Sequence, residues 1–526
     1  MSSKYNSLLE SLRSQNPLER NRTSSMLADL LKDLQPNEVR DVLIQIKSIE
    51  RQSLEMQAQI CRALGNLVPL VGGRDYISKV LDTIEFYLET DDDNIREKCI
   101  ASIDQLVKSS NTEEIEKIFI PFFIKLSKDA FYGKRSASAL IICLASKYLT
   151  EQESNSLFPI LETLVSDQSI EVRRDLAKAM YDAFNSHKFI VEKLILILSK
   201  LINDQTVIVQ KNIAPALTCL THEKYNDFVD DAINIIVANK KFENVISILS
   251  NIENLYITKE TQQYLYSFIF TDEHPLVRAE SAKHLKFIAK SNVLSKEKLD
   301  ESIKLLAKDS DPQVLFELAK SIPNLIENHK EACEFALSIL TESTDTRISN
   351  QAYEAIAETG VGIEIAINRI SQIGNSHWRT MISMCCVIGL MSKTLDVDSF
   401  NEKLLQYLYI LFESKVWGVR SQAVDTVKDI MQVYGTDWFF TKIYDYVIEK
   451  FSKGNYLDRQ LSVLVACSSP DYSKVSGFLK QITSDPTSNV RLMLAKECPK
   501  QFTEILDILS HDSDQDVSYY ANQRKN

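Results

Sequence analysis

The sequence predicts an all-α solenoid, on three observations. Glycine contributes only 12 of 526 residues, about 2% where about 7% is usual, and no Ser-, Pro- or Gly-rich linker interrupts the helical pattern. Strand signals are missing, with no Asn-Gly hairpin turn and no run of β-branched alternation. Most tellingly, one order of residues returns from one end of the chain to the other, and a fixed period of this kind marks stacked repeats.

The clearest copy is LETLVSDQSIEVRRDLAKAM, from Leu161 to Met180. An apolar helix carrying Leu161, Leu164 and Val165 stops at Asp167. The chain then turns, and a second helix runs from Val172 and Arg173 through Leu176, Ala177 and Met180. The same order fits Asp204 with Val209, Asp272 with Val277 and Arg278, and Asp309 with Val314. It fits again at Asp485 with Val490 and Arg491, and at Asp512 with Val517. Each copy is a hairpin of two helices that cannot bury its apolar face alone, so stability is a sum of near-neighbour terms.

Turn chemistry accounts for the recurring residue types. Ser169, Thr206, Asp311, Thr487 and Asp514 stand where a side-chain oxygen can accept from the free N–H groups opening a helix, worth about 1 kcal/mol apiece. Pro275 and Pro312 fall in the first turn, where proline costs nothing. The recurring Asp and Arg have two readings: bonds from turn to turn along the stack, or contacts with a ligand. Turns are expected near Asn16, Ser53, Asp92, Asp129, Asp167, Asp204, Lys241, Asp272, Asp309, Asp345, His377, Lys415, Gly454, Asp485 and Asp514. The result is about fifteen repeats spaced roughly 30 to 40 residues apart, the shorter end of what HEAT-type helix pairs show.

A formal net charge of −12 argues against nucleic acid as the main partner, because phosphate binding needs a basic face. The cysteines (Cys61, Cys99, Cys143, Cys219, Cys333, Cys385, Cys386, Cys467, Cys498) sit at helix-core spacings with no C-x-x-C pair. They read as reduced, buried thiols of a cytoplasmic protein, with the nucleus as a further location. The opening MSSKYNSLLESLRSQ lacks the apolar run of a signal peptide. The longest uncharged apolar stretch, Met381 to Met391, is far short of the roughly 20 residues that span a bilayer.

Catalytic motifs are not found, and no cofactor or metal is expected. Gly133-Lys134-Arg135 lacks the upstream glycine and the Ser/Thr of a phosphate loop, and no G-x-S-x-G elbow appears. His187, His222, His274, His284, His329, His377 and His511 are isolated along the chain. Some HEAT-like proteins resemble di-iron hydroxylases built on repeated His-Glu pairs, and here His222-Glu223 is a single pair.

Binding has more support, since a solenoid presents its turns as one ridge and large aromatics at turns are costly to expose unless a partner covers them. Phe131, Tyr132, Phe242, Trp378, Trp417 and Tyr456 fall at or beside expected turns. For Trp378 and Trp417 the competing reading is core packing. Trp438, opening an amphipathic helix with Phe439, Ile443 and Val447, reads as core.

Several stretches go beyond generic repeat: LVPLVGGRDYISKVL (Leu67 to Leu81), HWRTMISMCCVIGLM (His377 to Met391), YGTDWFFTKIYDYVI (Tyr434 to Ile448), GNYLDRQLSVL (Gly454 to Leu464) and SDPTSNVRLMLAK (Ser484 to Lys496). With SDQSIEVRRDLAKAM (Ser166 to Met180), they resemble, in order and over nearly the whole length, the scaffold subunits of protein phosphatase 2A. The chain departs from that family in being shorter between Thr341 and Arg379 and between Asp485 and Asn526. At the seventh turn it has Phe242, where members resembling it have Trp, and lacks the Arg that follows.

The resemblance implies a right-handed, horseshoe-shaped superhelix forming one solenoid over residues 1–526. It implies a heterotrimer in which residues 341–526 hold the catalytic subunit of the phosphatase, while residues 1–340 hold an exchangeable regulatory subunit. By position, the first set is Trp378, Arg379, Val416, Trp417, Asn455, Tyr456, Leu457, Thr487, Ser488, Asn489, Gln515 and Asp516. The second is Asp92, Asp93, Phe131, Tyr132, Ser169, Ile170, Arg173, Arg174, Gln205 and Phe242, with Arg173 and Arg174 also readable as ladder residues. A nuclear-transport receptor or chromosome-associated HEAT protein is the alternative binding function.

Overall fold

The computed structural model describes residues 2–50, 52–375 and 377–525. Helices and turns make up the described residues, and no strand occurs among them. Each expected turn lies at a helix–helix connection, from Asn16, the N-cap of Pro17–Ser25, to Asp514 before Gln515–Lys525. Thr150 caps the helix Glu151–Leu164 in a reciprocal box with Glu153, and Pro275 and Pro312 open their helices as expected.

The chain forms two compact units, Met1–Ser267 and Phe268–Asn526. That division is one of packing, a different quantity from the division by partner at residue 340. In the first unit the second helices of the hairpins form one layer: Leu54–Leu64 packs on Asp93–Lys108, which packs on Tyr132–Ala145, which packs on Ile170–Asn185. The helices preceding the turns pack on one another in the other layer, Glu151–Leu164 against Ile120–Ser127 and Val191–Ile202 against Asn226–Val237. Leu161, Leu164, Leu176, Ala177 and Met180 are buried between the layers, as their spacing requires.

The second unit repeats the plan. Pro275–Lys283, Pro312–Ser321, Thr346–Thr359, Trp378–Met391, Trp417–Tyr434, Tyr456–Cys467, Ser488–Glu497 and Gln515–Lys525 stack side by side in chain order. The pair of glycines after Thr359, Gly360 and Gly362, adopt positive φ of 72° and 78°, a turn open to glycine at no steric cost. Trp438 is buried, 5% exposed, its ring edge-on to Phe400 and Tyr434 and its indole N–H donating to Asn401 Oδ1 at 2.9 Å. Residues Phe439–Tyr444 wind as a π-turn, so one extra residue enters the core face.

Two sequence expectations are corrected. Cys386 is exposed and Cys219 half-buried, whereas the other cysteines are buried; in Trp378–Met391 the core stripe takes Met384, Cys385 and Val387 and leaves Cys386 on the opposite side. Ser169, Thr206 and Thr487 occupy N-cap positions without accepting a helix N–H through their side chains. Their hydroxyls are engaged elsewhere: Ser169 donates to Glu171, Thr206 donates to Asp204, and Thr487 accepts from Arg459. Asp311 and Asp514 do cap, accepting from Gln313 and from Asp516 and Val517.

Candidate docking surface

A ladder of charge-assisted bonds sets the turns in register. Arg135 donates Nε to Asp167 Oδ2 at 2.7 Å and Nη2 to Oδ1 at 2.9 Å. Arg173 pairs with Asp204, Arg278 with Asp309, Arg459 with Asp485 and Arg491 with Asp512, each through both carboxylate oxygens. Each arginine also returns Nη1 to a carbonyl of its own turn, as Arg173 does to Asp167 O at 2.7 Å. Each acceptor aspartate takes in addition the N–H two residues on, Asp309 from Asp311 at 2.9 Å. A planar fork on a carboxylate fixes direction as well as distance.

Burial by itself would raise the carboxyls of Asp167, Asp204, Asp309 and Asp485. The arginine bonds and turn N–H groups outweigh it and hold all of these below the usual range. At Asp512 the Arg491 bond is the leading cause of the lowering. At the sixth turn Gln210 stands where the arginine would, and the link becomes neutral: Asn244 Nδ2 donates to Gln210 Oε1 at 2.9 Å.

Arg173, open to both readings from sequence, therefore spends its guanidinium on the ladder. Arg174 points elsewhere, donating Nε to Asp175 Oδ1 at 2.7 Å with Asp93 3.9 Å away. It lines a charged groove of about 330 Å³ with Arg96, Lys178 and Lys211. Asp92 caps the helix Asp93–Lys108 through Ile95 N–H. Half-buried Phe131 and Tyr132 pack together at 4.9 Å, and the Tyr132 hydroxyl donates to Asp91 at 2.6 Å. Ile170 (40% exposed) and Gln205 lie open, Ser169 is half-buried, and so is Phe242.

The second unit brings its expected residues together. Trp378, Trp417, Tyr456, Ser488 and Gln515 are the first residues of five helices that stack consecutively, so their turns form one column. Trp378 is 37% exposed with the Arg379 guanidinium 4.7 Å over its ring, Val416 is 38% exposed, and Tyr456 is 45% exposed. Trp417 is half-buried over Arg420 at 5.3 Å. Asn455 caps its helix with Asp458, Leu457 is half-buried, and Asn489, Gln515 and Asp516 are exposed. Thr487 and Ser488 are half-buried, Thr487 being tied to Arg459 at 3.0 Å.

Sequence reasoning passed over Arg420. It follows Val419 as Arg173, Arg278 and Arg491 follow Val172, Val277 and Val490, and the signal was Lys453, two positions before the N-cap Asn455, in the register where Asp167, Asp204, Asp309, Asp485 and Asp512 stand. The Arg420 side chain is 5% exposed, Asp458 Oδ1 is 3.6 Å from its Nη1, and its Nε and Nη2 have no hydrogen-bond partner. Burial pushes this guanidinium below the usual arginine range.

No group of His, Cys, Asp and Glu able to hold a metal occurs among the described residues, and no helix there is long and apolar enough to cross a membrane. His222 of the His-Glu pair caps Lys224 N–H beside Tyr225.

No model of a known protein family matches the chain. Over 165 residues it is 29% identical to the A-type regulatory subunit of protein phosphatase PP2A from Schizosaccharomyces pombe, covering 31% of this chain and 27% of that protein. Over 172 residues it is 24% identical to the "Protein phosphatase 2A scaffold subunit" of Dictyostelium discoideum, covering 32% of this chain and 30% of that one. The matched stretch thus spans under a third of these relatives' length. Among solved structures, the chain superposes on that titled "Kap95:Nup1 complex" with a TM-score of 0.57 at 11% identity, over 99% of this chain and 76% of the other. On "Crystal structure of Kap121p bound to Pho4p" the TM-score is 0.54 at 13% identity, over 96% and 58%. Identities this low speak to the fold, which is that of the helical-repeat solenoids.

Proposed function

We propose that this chain is a non-catalytic scaffold of a protein phosphatase 2A-type serine/threonine phosphatase. Its C-terminal turns, in residues 341–526, hold the catalytic subunit, and its N-terminal turns, in residues 1–340, hold an exchangeable regulatory subunit. The observation that carries the reading is the column of turns headed by Trp378, Trp417 and Tyr456 at the starts of successive stacked helices, where the rings of Trp378 and Tyr456 stand open and that of Trp417 is half-buried. Aromatic anchors of this kind dominate interface energetics. Support for the partner's identity comes from the names of the relatives matched over part of the chain.

On this reading the chain performs no reaction. It holds two partners on one frame, and tethering raises the effective concentration of the second partner about the first without new chemistry. Loosely coupled repeats let each unit adjust locally to what it binds.

The test is recovery of partners by the purified chain. Replacing Trp378, Trp417 and Tyr456 with Ala should abolish recovery of a phosphatase catalytic chain while leaving helical content unchanged. A triple variant that recovers the phosphatase at wild-type yield would show the residues to be misassigned. A wild-type chain that recovers none would end the scaffold reading.

A further inference from the structure

Five arginines on these turns each find an aspartate on the following turn, at sequence separations of 32, 31, 31, 26 and 21 residues. Arg420 occupies the same place in its helix, after Val419 and four residues beyond the N-cap Val416. The position in register on the next turn holds Lys453, a cation, so the ladder cannot continue from Arg420. Its own turn does not satisfy it either, because Nε and Nη2 reach no acceptor there. Asp458, the nearest carboxylate, keeps Oδ1 3.6 Å from Nη1, an ion pair without a hydrogen bond, while its Oδ2 accepts from Asn455 N–H at 3.2 Å.

A buried guanidinium with open N–H donors is costly, and it is stabilised by an acceptor that reaches it. The guanidinium of Arg420 has its Nε and Nη2 themselves buried, so an acceptor arriving at the turn reaches them only as the side chains above them give way. Trp417 covers it from the turn side at 5.3 Å, and Tyr456, exposed, begins the neighbouring helix. Its fork geometry selects a planar bidentate acceptor, and a carboxylate is the acceptor that also answers its charge.

We propose that Arg420 receives a carboxylate of the docked phosphatase catalytic chain: the side chain of an aspartate or glutamate inserted between Trp417 and Tyr456. The site rests on the scaffold reading for the partner's identity and adds the chemistry of one contact. The missing rung of the ladder is then completed from outside the chain, so docking supplies at this turn what an aspartate supplies at the others.

The test uses the full chain and a purified phosphatase 2A catalytic chain, with affinity measured by calorimetry and Tm by thermal unfolding. Arg420→Gln should weaken binding about 10- to 100-fold, the range set by loss of a charge-assisted bond, and Arg420→Lys should restore only part of it. Lys453→Asp places a carboxylate of the chain itself opposite Arg420. It should raise Tm and weaken binding comparably, whereas Lys453→Ala should leave affinity unchanged. If Lys453→Asp binds at wild-type affinity or leaves Tm unaltered, Arg420 does not offer unpaired donors to the partner and the inference is overturned. If Arg420→Gln and Lys453→Asp both bind normally while the Trp378, Trp417 and Tyr456 triple variant does not, the scaffold reading stands without this contact. If the wild-type chain binds no catalytic chain, both are overturned.

Discussion

Arg491 and Asp512 meet through two parallel bonds, Nε to Oδ2 at 2.7 Å and Nη2 to Oδ1 at 2.9 Å, across a separation of only 21 residues. Arg173 and Asp204 make the same pairing across 31. The helix before the last turn is short, Thr503–Leu509 being two turns long against the 12 residues of Val191–Ile202, yet the turn-to-turn bond keeps its form. At these two turns the arginine fork is the same although the chain between its partners differs by ten residues.

The first prediction concerns that fork. Arg278→Ala removes both bonds to Asp309, whose side chain is 7% exposed, leaving a buried carboxylate with only turn N–H donors. The expected loss is about 2–3 kcal/mol in urea unfolding. Because repeats couple to their nearest neighbours, hydrogen exchange should quicken in Pro275–Lys283 and Pro312–Ser321 and remain unchanged in Tyr132–Ala145. Arg347→Ala serves as a contrast: its pair with Asp345 lies within one exposed turn, where an ion pair contributes little, and exchange there should be unaltered.

Acid should act through the same carboxylates. Asp167, Asp204, Asp309, Asp485 and Asp512 are all held below the unfolded value of 3.8. Their stabilisation is therefore complete above that value and is lost as pH falls through the lower folded values. Tm should show no contribution from these groups between pH 5 and 8 and should fall steeply below about pH 4. Arg278→Ala should lower the plateau and shrink the acid limb, since Asp309 then titrates closer to its unfolded value. An acid limb of undiminished height in that variant would remove the ladder as its cause.

Much of the fold was legible because the repeat writes its turn in residue types with few substitutes. Asp167 and Arg173 could be recognised as a unit before their partners were known, and the turns at Ser53, Lys241 and Asp345, where that signature is incomplete, still fell at helix connections because the flanking helices keep their apolar stripes. The direction of the bonds was not legible: an aspartate before a helix serves equally as a cap or as an acceptor from the preceding repeat, and only coordinates show that Ser169 and Thr487 yield the capping role. The column beginning at Trp378 followed from position in each repeat. Arg420 was missed because its meaning lies in a residue that is absent from the next turn, and a pattern search registers what recurs.

Thiol reactivity offers a check on helix orientation. Cys386 is exposed while its neighbour Cys385 is buried, its thiol pushed by burial up to about 12. An aromatic disulfide reagent added to the native protein should modify Cys386 first and half-buried Cys219 more slowly, with the remaining thiols reacting only on unfolding. Partial desolvation also lifts the Cys386 thiol above its usual 9.0, so its rate should still be climbing at that pH. Peptide mapping that finds Cys385 labelled before Cys386 would mean that Trp378–Met391 is rotated about its axis.

Trp438 separates the two kinds of aromatic residue in this chain. Its ring lies edge-on to Phe400 at 6.1 Å and to Tyr434 at 5.7 Å, and its indole N–H is satisfied by Asn401. Trp438→Ala leaves a cavity among these groups and should cost about 3–5 kcal/mol. Trp438→Phe should cost less, losing the bond to Asn401 while keeping most of the packing. Trp378→Ala and Trp417→Ala, at exposed and half-buried turn positions, should move stability far less while reducing phosphatase recovery. Denaturation and pull-down should therefore rank the three tryptophans in opposite orders. Matching orders would mean that the turn column contributes to folding in the same way as the core does, and that its exposed rings need no partner to explain them.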